Sequence, residues 1–239
     1  MSFIQLHLFA IKRSAQLMTS RSILRFILPG LIISIFFYLF IGGLNYTSSV
    51  VSLLEKTPWI GSFLESVFST LFSWIENLSF SIYQFTIITL LSPVNTVLSQ
   101  RIEMQETGKA FPISYIKIIR DILRLIGVII VWAILYGAVY LLWILFAKII
   151  GISFLNPYIS LIIIAFFTGF NFYDHSLERH DINIIKSWKY AFQRPLHMIT
   201  IGLIFAVILL IPFVGVIIAP VYSTIVATVV FFKEKDAAN

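Results

Sequence analysis

"HMITIGLIFAVILLIPFVGVIIAPVYSTIVATVVFF", residues 197–232, contains no Asp, Glu, Lys or Arg. An apolar run without charge belongs in a bilayer, which a helix of about 20 apolar residues crosses. This run is too long for one crossing: about 36 residues in one straight helix reach about 54 Å, against a hydrocarbon core of about 30 Å. Pro212, Gly215 and Pro220 stand in its middle. The stretch therefore predicts a hairpin of two short helices. Arms of about 14 residues reach about 21 Å, so each would enter the bilayer without fully crossing it. Non-helical backbone at such a tip needs protein or water around it.

The same signal recurs outward from this run. No charged residue occurs from Phe26 to Leu54 or from Asn77 to Gln100, and only Lys148 interrupts Leu125 to Tyr173. Of 239 residues, 59% are hydrophobic and 12% charged, where a soluble domain carries about 25% charge. The expected class is an all-α integral membrane protein, one membrane domain over residues 1–239. It would have two long transmembrane helices and two helical hairpins, some partly inserted, with amphipathic interfacial helices beside them. There is no cysteine, which excludes disulfides and thiolate metal sites. The net charge of +6 does not indicate nucleic acid, because the basic residues flank apolar runs, where Lys and Arg collect on the cytoplasmic side. A secretory leader is not expected: the first strongly apolar run starts near Phe26 and ends in "IGGLNYTSS", without a small-residue cleavage pattern.

The elements follow from periodicity and breakers. Phe3 to Met18 reads as an amphipathic helix on the membrane surface. A first membrane helix is expected from Ser22 to Leu44, with Pro29 near its start. Pro58 to Leu78 reads as a second interfacial helix, rich in Trp and Phe at i, i+3, i+4 spacing. A second membrane helix is expected over Phe80 to Leu98, then a basic stretch from Arg101 to Arg124 with "TGKAFP" as its loop. A third helix spans Arg120 to Ile150 and a shorter one Tyr158 to Phe172. "YDHSLERH", Tyr173 to His180, then reads as a polar connection into the helix of "INIIKSWKYAFQ". The Lys and Arg counts alternate along the chain and place both termini and Tyr173–His180 in the cytoplasm.

Three stretches resemble the family of CysZ sulfate transporters, which is similar to the eukaryotic etoposide-induced membrane proteins. They are "QLMTSRSILRFILPGLIISIFF", "SPVNTVLSQRIEMQETGK" and "FYDHSLERHDINIIKSWKYAFQRP" followed by "IPFVGVIIAPVYSTIVATVVF". The resemblance covers nearly the whole chain in order. It implies a bacterial inner-membrane protein with long transmembrane helices and partly inserted hairpins, assembling as a homo-oligomer and taking up sulfate. The family's Gly-apolar-Arg-Arg pattern before the first span corresponds here to Ser22, Ile23, Leu24 and Arg25, with Arg21 four residues before Arg25.

Two groups of residues carry the expected chemistry. Arg21, Ser22, Ile23, Leu24 and Arg25 stand at the entry of the first span. Free N–H groups at a helix start, together with arginine forks, suit sulfate or a similar oxyanion. The alternative is a basic anchor resting on lipid phosphates. The second group is Asn95, Glu103, Asp174, Glu178 and His180. Asp174 suits the N-cap of the following helix, and the cluster would pair with Arg25 or Glu103 as a cytoplasmic polar network. A plain solvated loop is the alternative. The five-residue separation of His175 and His180 does not match a helical zinc pair, and neither metal nor cofactor is expected. Asn95, inside an apolar helix, needs a partner on another helix or a polar path to line. Lys148 snorkels. No catalytic motif is present, so the expectation is not an enzyme but a passive transporter or channel for a small inorganic anion. The alternative is a non-transporting scaffold whose hairpins organise the membrane.

Overall fold

The computed structural model describes residues 1–32, 35, 80–108, 115–180, 182–211 and 214–238. Most of the first membrane helix expected over Ser22–Leu44, and the whole interfacial helix expected over Pro58–Leu78, lie outside them. Among the described residues every regular element is helical. They are α1 (Phe3–Met18), α2 (Arg21–Leu24), α3 (Phe80–Thr107), α4 (Tyr115–Ile150), α5 (Asn156–Arg179), α6 (Ile184–Gln193), α7 (Pro195–Leu209) and α8 (Val214–Ala238), with a 3₁₀ turn at Ser153–Leu155. Beyond α2, helical backbone resumes at residues 27–32. Among the described residues three segments are long and apolar enough to cross a membrane: Gly127–Ile150, Ser153–Arg179 and Val214–Asp236. The pair α6–α7, bent by 91°, makes a fourth if it is counted as one broken span.

Local chemistry explains the ends. Ser2 and Gln5 form a capping box on α1: the Gln5 amide donates to Ser2 Oγ, and the Ser2 amide to Gln5 Oε1. α3 ends at Gly108, whose φ of 70° suits glycine, with its N–H on the Met104 carbonyl. α4 ends the same way at Gly151, φ 80°, where Ile152 N–H reaches back to the Ala147 carbonyl. Asn183 caps α6, its side chain accepting from the Lys186 amide at 2.9 Å.

Four expectations are corrected. α3 does not stop at Leu98 but continues through Arg101 to Thr107. α5 does not stop at Phe172: Tyr173–Arg179 are its last two turns, not a connection. Asp174, inside α5, therefore caps nothing, and Asn183 does that work for α6. The arms of the last hairpin are unequal, with 15 residues in α7 and 25 in α8. α7 reaches about 22 Å, but α8 about 37 Å, enough to cross. Pro220 lies inside α8 rather than at the tip. In a dry surrounding the loss of one bond at a proline costs less than the many orphaned by a broken helix.

α8 is the buried axis, in contact with α1, α3, α5 and α7. α5 packs on α7 so closely that a methyl group on Gly169 would overlap the Met198 carbonyl, and one on Gly202 the Ala165 carbonyl. Small residues at i, i+4 on both helices allow this approach, and close packing is what holds helices together in lipid. α4 stands at the edge, with Ile134, Leu142 and Ile149 turned outward. Its inner side is held by Trp132, whose Nε1–H donates to the Phe167 carbonyl at 3.2 Å.

Candidate functional site

Where α3, α5 and α8 meet, each turns a polar stripe inward. On α3 it is Ser92, Asn95, Ser99 and Glu103, at i, i+3, i+7 and i+11, all buried. On α5 it includes Thr168, Asn171, His175 and Arg179, and on α8 Ser223, Thr224 and Thr228, again all buried. The three helices run in the same direction, because their partners climb together. Thr96 Oγ1 lies 3.1 Å from His175 Nδ1, Ser99 Oγ lies 2.5 Å from Thr228 Oγ1 and 3.4 Å from Ser176 Oγ, and Arg179 Nε donates to Glu103 Oε2 at 2.6 Å. The result is a buried polar column.

The column has a charged end and a neutral body. At the charged end, Glu103 and Arg179 are 2% and 1% exposed in their side chains. His180 closes α5, and its Nε2 stands 3.1 Å from Glu103 Oε1. Lys235 Nζ donates to His180 Nδ1 at 3.2 Å, which leaves the proton on Nε2, an atom close to Glu103 but not hydrogen-bonded to it. Asp174 and Glu178 point away from Glu103. Arg124 of α4 holds Asp174 with a two-pronged pair at 2.6 and 2.8 Å, and Glu178 is 3.7 Å from the same guanidinium. Arg124 also donates to Ser187 Oγ and the Ile182 carbonyl, which ties the chain's return to α4.

The neutral body is under-satisfied. Among the described residues neither amide atom of Asn95 has a hydrogen-bond partner, nor do Asn171 Oδ1, Thr168 Oγ1, Ser223 Oγ and His175 Nε2, and at the charged end Arg179 Nη1 lacks one as well. Buried polar groups almost always find partners, and a missing one costs about 1–3 kcal/mol.

The entry segment lies near the charged end. Gln105 of α3 donates to Ser22 Oγ at 2.8 Å, which puts α2 beside Glu103. Ile23 is buried, Ser22 is half-buried, and Arg21, Leu24 and Arg25 are exposed. Neither arginine has a carboxylate partner among the described residues. Of the two partners expected for the cluster, Glu103 takes Arg179 and lies beside His180, whereas Arg124 and not Arg25 holds Asp174. α2 is a single turn, and the chain turns at Arg25 and Phe26 before becoming helical again.

A family model described as "Sulfate transporter CysZ/Etoposide-induced protein 2.4" matches residues 10–220. The chain belongs to this CysZ/etoposide-induced family. The match runs from α1 into α8, so it takes in all of α3 and α5 but ends before Ser223, Thr224 and Thr228. Among curated proteins none matches this CysZ-family chain. With its apolar spans, membership makes it a multi-pass membrane protein of a transporter-type family, which is not a family of enzymes. No group of three or more His, Asp or Glu side chains able to hold a metal occurs among the described residues.

Residue reading had picked out Asn95 and Glu103 on α3 but not the stripe they belong to. The signal was available: Ser92, Asn95, Thr96, Ser99 and Glu103 repeat at helical spacing through a run that is otherwise apolar. Arg124 was not legible as the partner of Asp174, because the pair joins residues 50 apart. His7, His197 and Glu234, a second polar cluster at the junction of α1, α7 and α8, also escaped it.

Proposed function

We propose that the chain forms a passive path for a small inorganic anion, sulfate first, along the polar column between α3, α5 and α8. The observation that carries this reading is the set of buried polar atoms without a partner among the described residues: the Asn95 amide, the Thr168 and Ser223 hydroxyls, and the amide oxygen of Asn171. Neutral amide and hydroxyl donors can replace the water around an oxyanion without binding it irreversibly, as conduction requires. The exposed guanidinium groups of Arg21 and Arg25 beside the charged end raise the local anion concentration. Among the described residues each carboxylate near the column is already paired with arginine, which leaves none of them spare to couple transport to protons. The setting is a bacterial inner membrane with both termini in the cytoplasm, as the basic flanks suggest, and the working form is a homo-oligomer in the lipid bilayer.

Radiolabelled sulfate uptake into liposomes holding the purified chain, with phosphate and chloride as competitors, tests this. Asn95→Leu and Asn171→Leu should each lower uptake by roughly tenfold or more, the factor set by about 1.4 kcal/mol at a barrier. Both should leave the thermal midpoint unchanged or raised, because removing an unsatisfied buried polar group is neutral or favourable. Arg25→Ala should weaken apparent affinity, and Arg25→Lys restore it only in part, since the planar fork is lost. Sulfate uptake no faster than in empty liposomes would reject the path.

A second reading, a membrane-organising scaffold, is favoured by one feature. α6 turns its apolar Ile185 and Phe192 outward, and the chain bends by 91° into the short α7, which makes a wedge at the membrane surface. Remodelling of liposome size without any sulfate flux would select it.

A further inference from the structure

α1 is held against the body of the protein by a chain of hydrogen-bonding groups. His7, buried on α1, has its Nε2 2.9 Å from Nδ1 of His197 on α7. The other nitrogen of His197 is 3.1 Å from Glu234 Oε1 on α8. Arg194 Nε lies 3.2 Å from the same oxygen, while the hydroxyls of Tyr173 and Tyr190 donate to Glu234 Oε2. The Phe3 ring packs at a tilt against both imidazoles, with ring centroids 4.5 and 5.0 Å away. His7 Nδ1 is buried without a partner.

We propose that His7 and His197 form a proton-operated latch that releases the N-terminal half of α1 when the pair takes up a second proton. The proton count follows from the geometry. With both rings neutral, His197 Nε2–H faces the Glu234 carboxylate, so His197 Nδ1 accepts from His7 Nε2–H. A first proton is accommodated. His197 becomes an imidazolium beside Glu234 and donates from Nδ1, and His7 accepts at Nε2 by moving its own proton to Nδ1. A second proton has no place: two N–H groups then face each other across the pair, in addition to the buried His7 Nδ1–H that the first proton already leaves without an acceptor among the described residues. The surroundings oppose it too. Arg194 already serves Glu234, Lys233 Nζ sits 5.6 Å from the Phe9 ring, and Lys12 and Arg13 are on α1 itself. Glu234 is the one carboxylate facing the pair among the described residues. Glu106 is taken by Arg13 at 2.7 Å, further along α1.

That distal contact, with the Tyr222 hydroxyl donating to the Ile11 carbonyl at 2.8 Å, anchors the other half of α1 and makes it the hinge. Burial, and next the charge of His197, push His7 down from 6.5 to about 4. An undocked His7 would titrate near 6.5. Between those values the released form binds more protons than the docked one, so docking is fully present above about 6.5 and weakens as the pH falls toward about 4. The latch goes beyond the anion path and does not depend on it.

Spin labels on cysteines introduced at Leu8 and Gln193, both exposed, report the distance between α1 and the α6–α7 corner in the full chain in liposomes. One short distance population is expected at neutral pH. A longer one should grow in as the pH falls from about 6.5 to about 4 and vanish on return to neutrality. His7→Gln keeps an N–H for His197 and cannot titrate, so it should hold the short distance throughout. His180→Gln, outside the pair, should behave as the unmodified chain does. Histidine-selective nitrogen NMR of the unmodified chain gives a reading free of the His7 variant: the shifts of the hydrogen-bonded pair should disappear together with the short distance. A distance that ignores pH, a pH response retained in His7→Gln, or rings that titrate while α1 stays docked would overturn the latch.

Discussion

Glu103 and Arg179 are buried too deeply to be treated as a surface pair. Their mutual attraction offsets two desolvation costs, and removing one partner leaves the other charged in a dry place, at about 3–5 kcal/mol. Glu103→Leu and Arg179→Leu should therefore each lower the thermal midpoint sharply in detergent. Glu103→Leu combined with Arg179→Leu should recover most of the loss, which a double-mutant cycle measures. Additive losses would refute the coupling. Asp174→Ala should also destabilise, through Arg124, although that pair is less buried, with side chains 14% and 7% exposed. Sequence reading identified these acids as a cluster and named Glu103 as a partner. The partners that depend on helix rotation, Arg124 above all, were not legible, since spacing along the chain says nothing about which faces meet across it.

At the scale of elements, α5 and α7 depend on Gly169 and Gly202. Gly169→Leu must push the two backbones apart. Overpacking costs about 1–3 kcal/mol and sometimes more, and without a hydrophobic force between helices in lipid the lost contact is not replaced. Thermal unfolding should show the drop, while Gly137→Leu, at a position with open space around it on α4, should change little. Asn183→Ala removes the cap of α6 and should cost about 1 kcal/mol, whereas Asp174 has no such role. Helix existence was legible throughout the described residues, because apolar runs and breakers are local. The ends of α3, α5 and α8 were not. Polar residues were read as the close of a helix, yet Asp174, His175 and Arg179 stay helical because other helices supply their partners. Pro220 was read as part of a tip, yet the backbone around it has nothing better to bond to than the helix.

At the scale of the whole molecule, the alternation of Lys and Arg predicts an orientation that labelling can check. Ser176 is fully buried and makes a poor probe. A cysteine at Lys186, exposed beyond the end of α5, should react only from the cytoplasmic side, and one at Phe154, exposed at the opposite end of α5, only from the other. Reversed labelling would invert the orientation, and labelling of both from both sides would mean dual insertion.

Class, membrane residence and the existence of the helices among the described residues followed from the amino-acid sequence alone. A charge-free apolar run has one favourable solvent, and in that solvent the backbone must close its own hydrogen bonds as helix. The polar column, the Glu103–Arg179 pair and the His7–His197–Glu234 chain were decided only by tertiary structure. Each joins residues from separate helices, in places 76 or 190 positions apart. Whether their polar atoms meet depends on how far each helix rotates and how closely it packs. Small residues such as Gly169 and Gly202 govern that approach, and no local pattern of polarity encodes it.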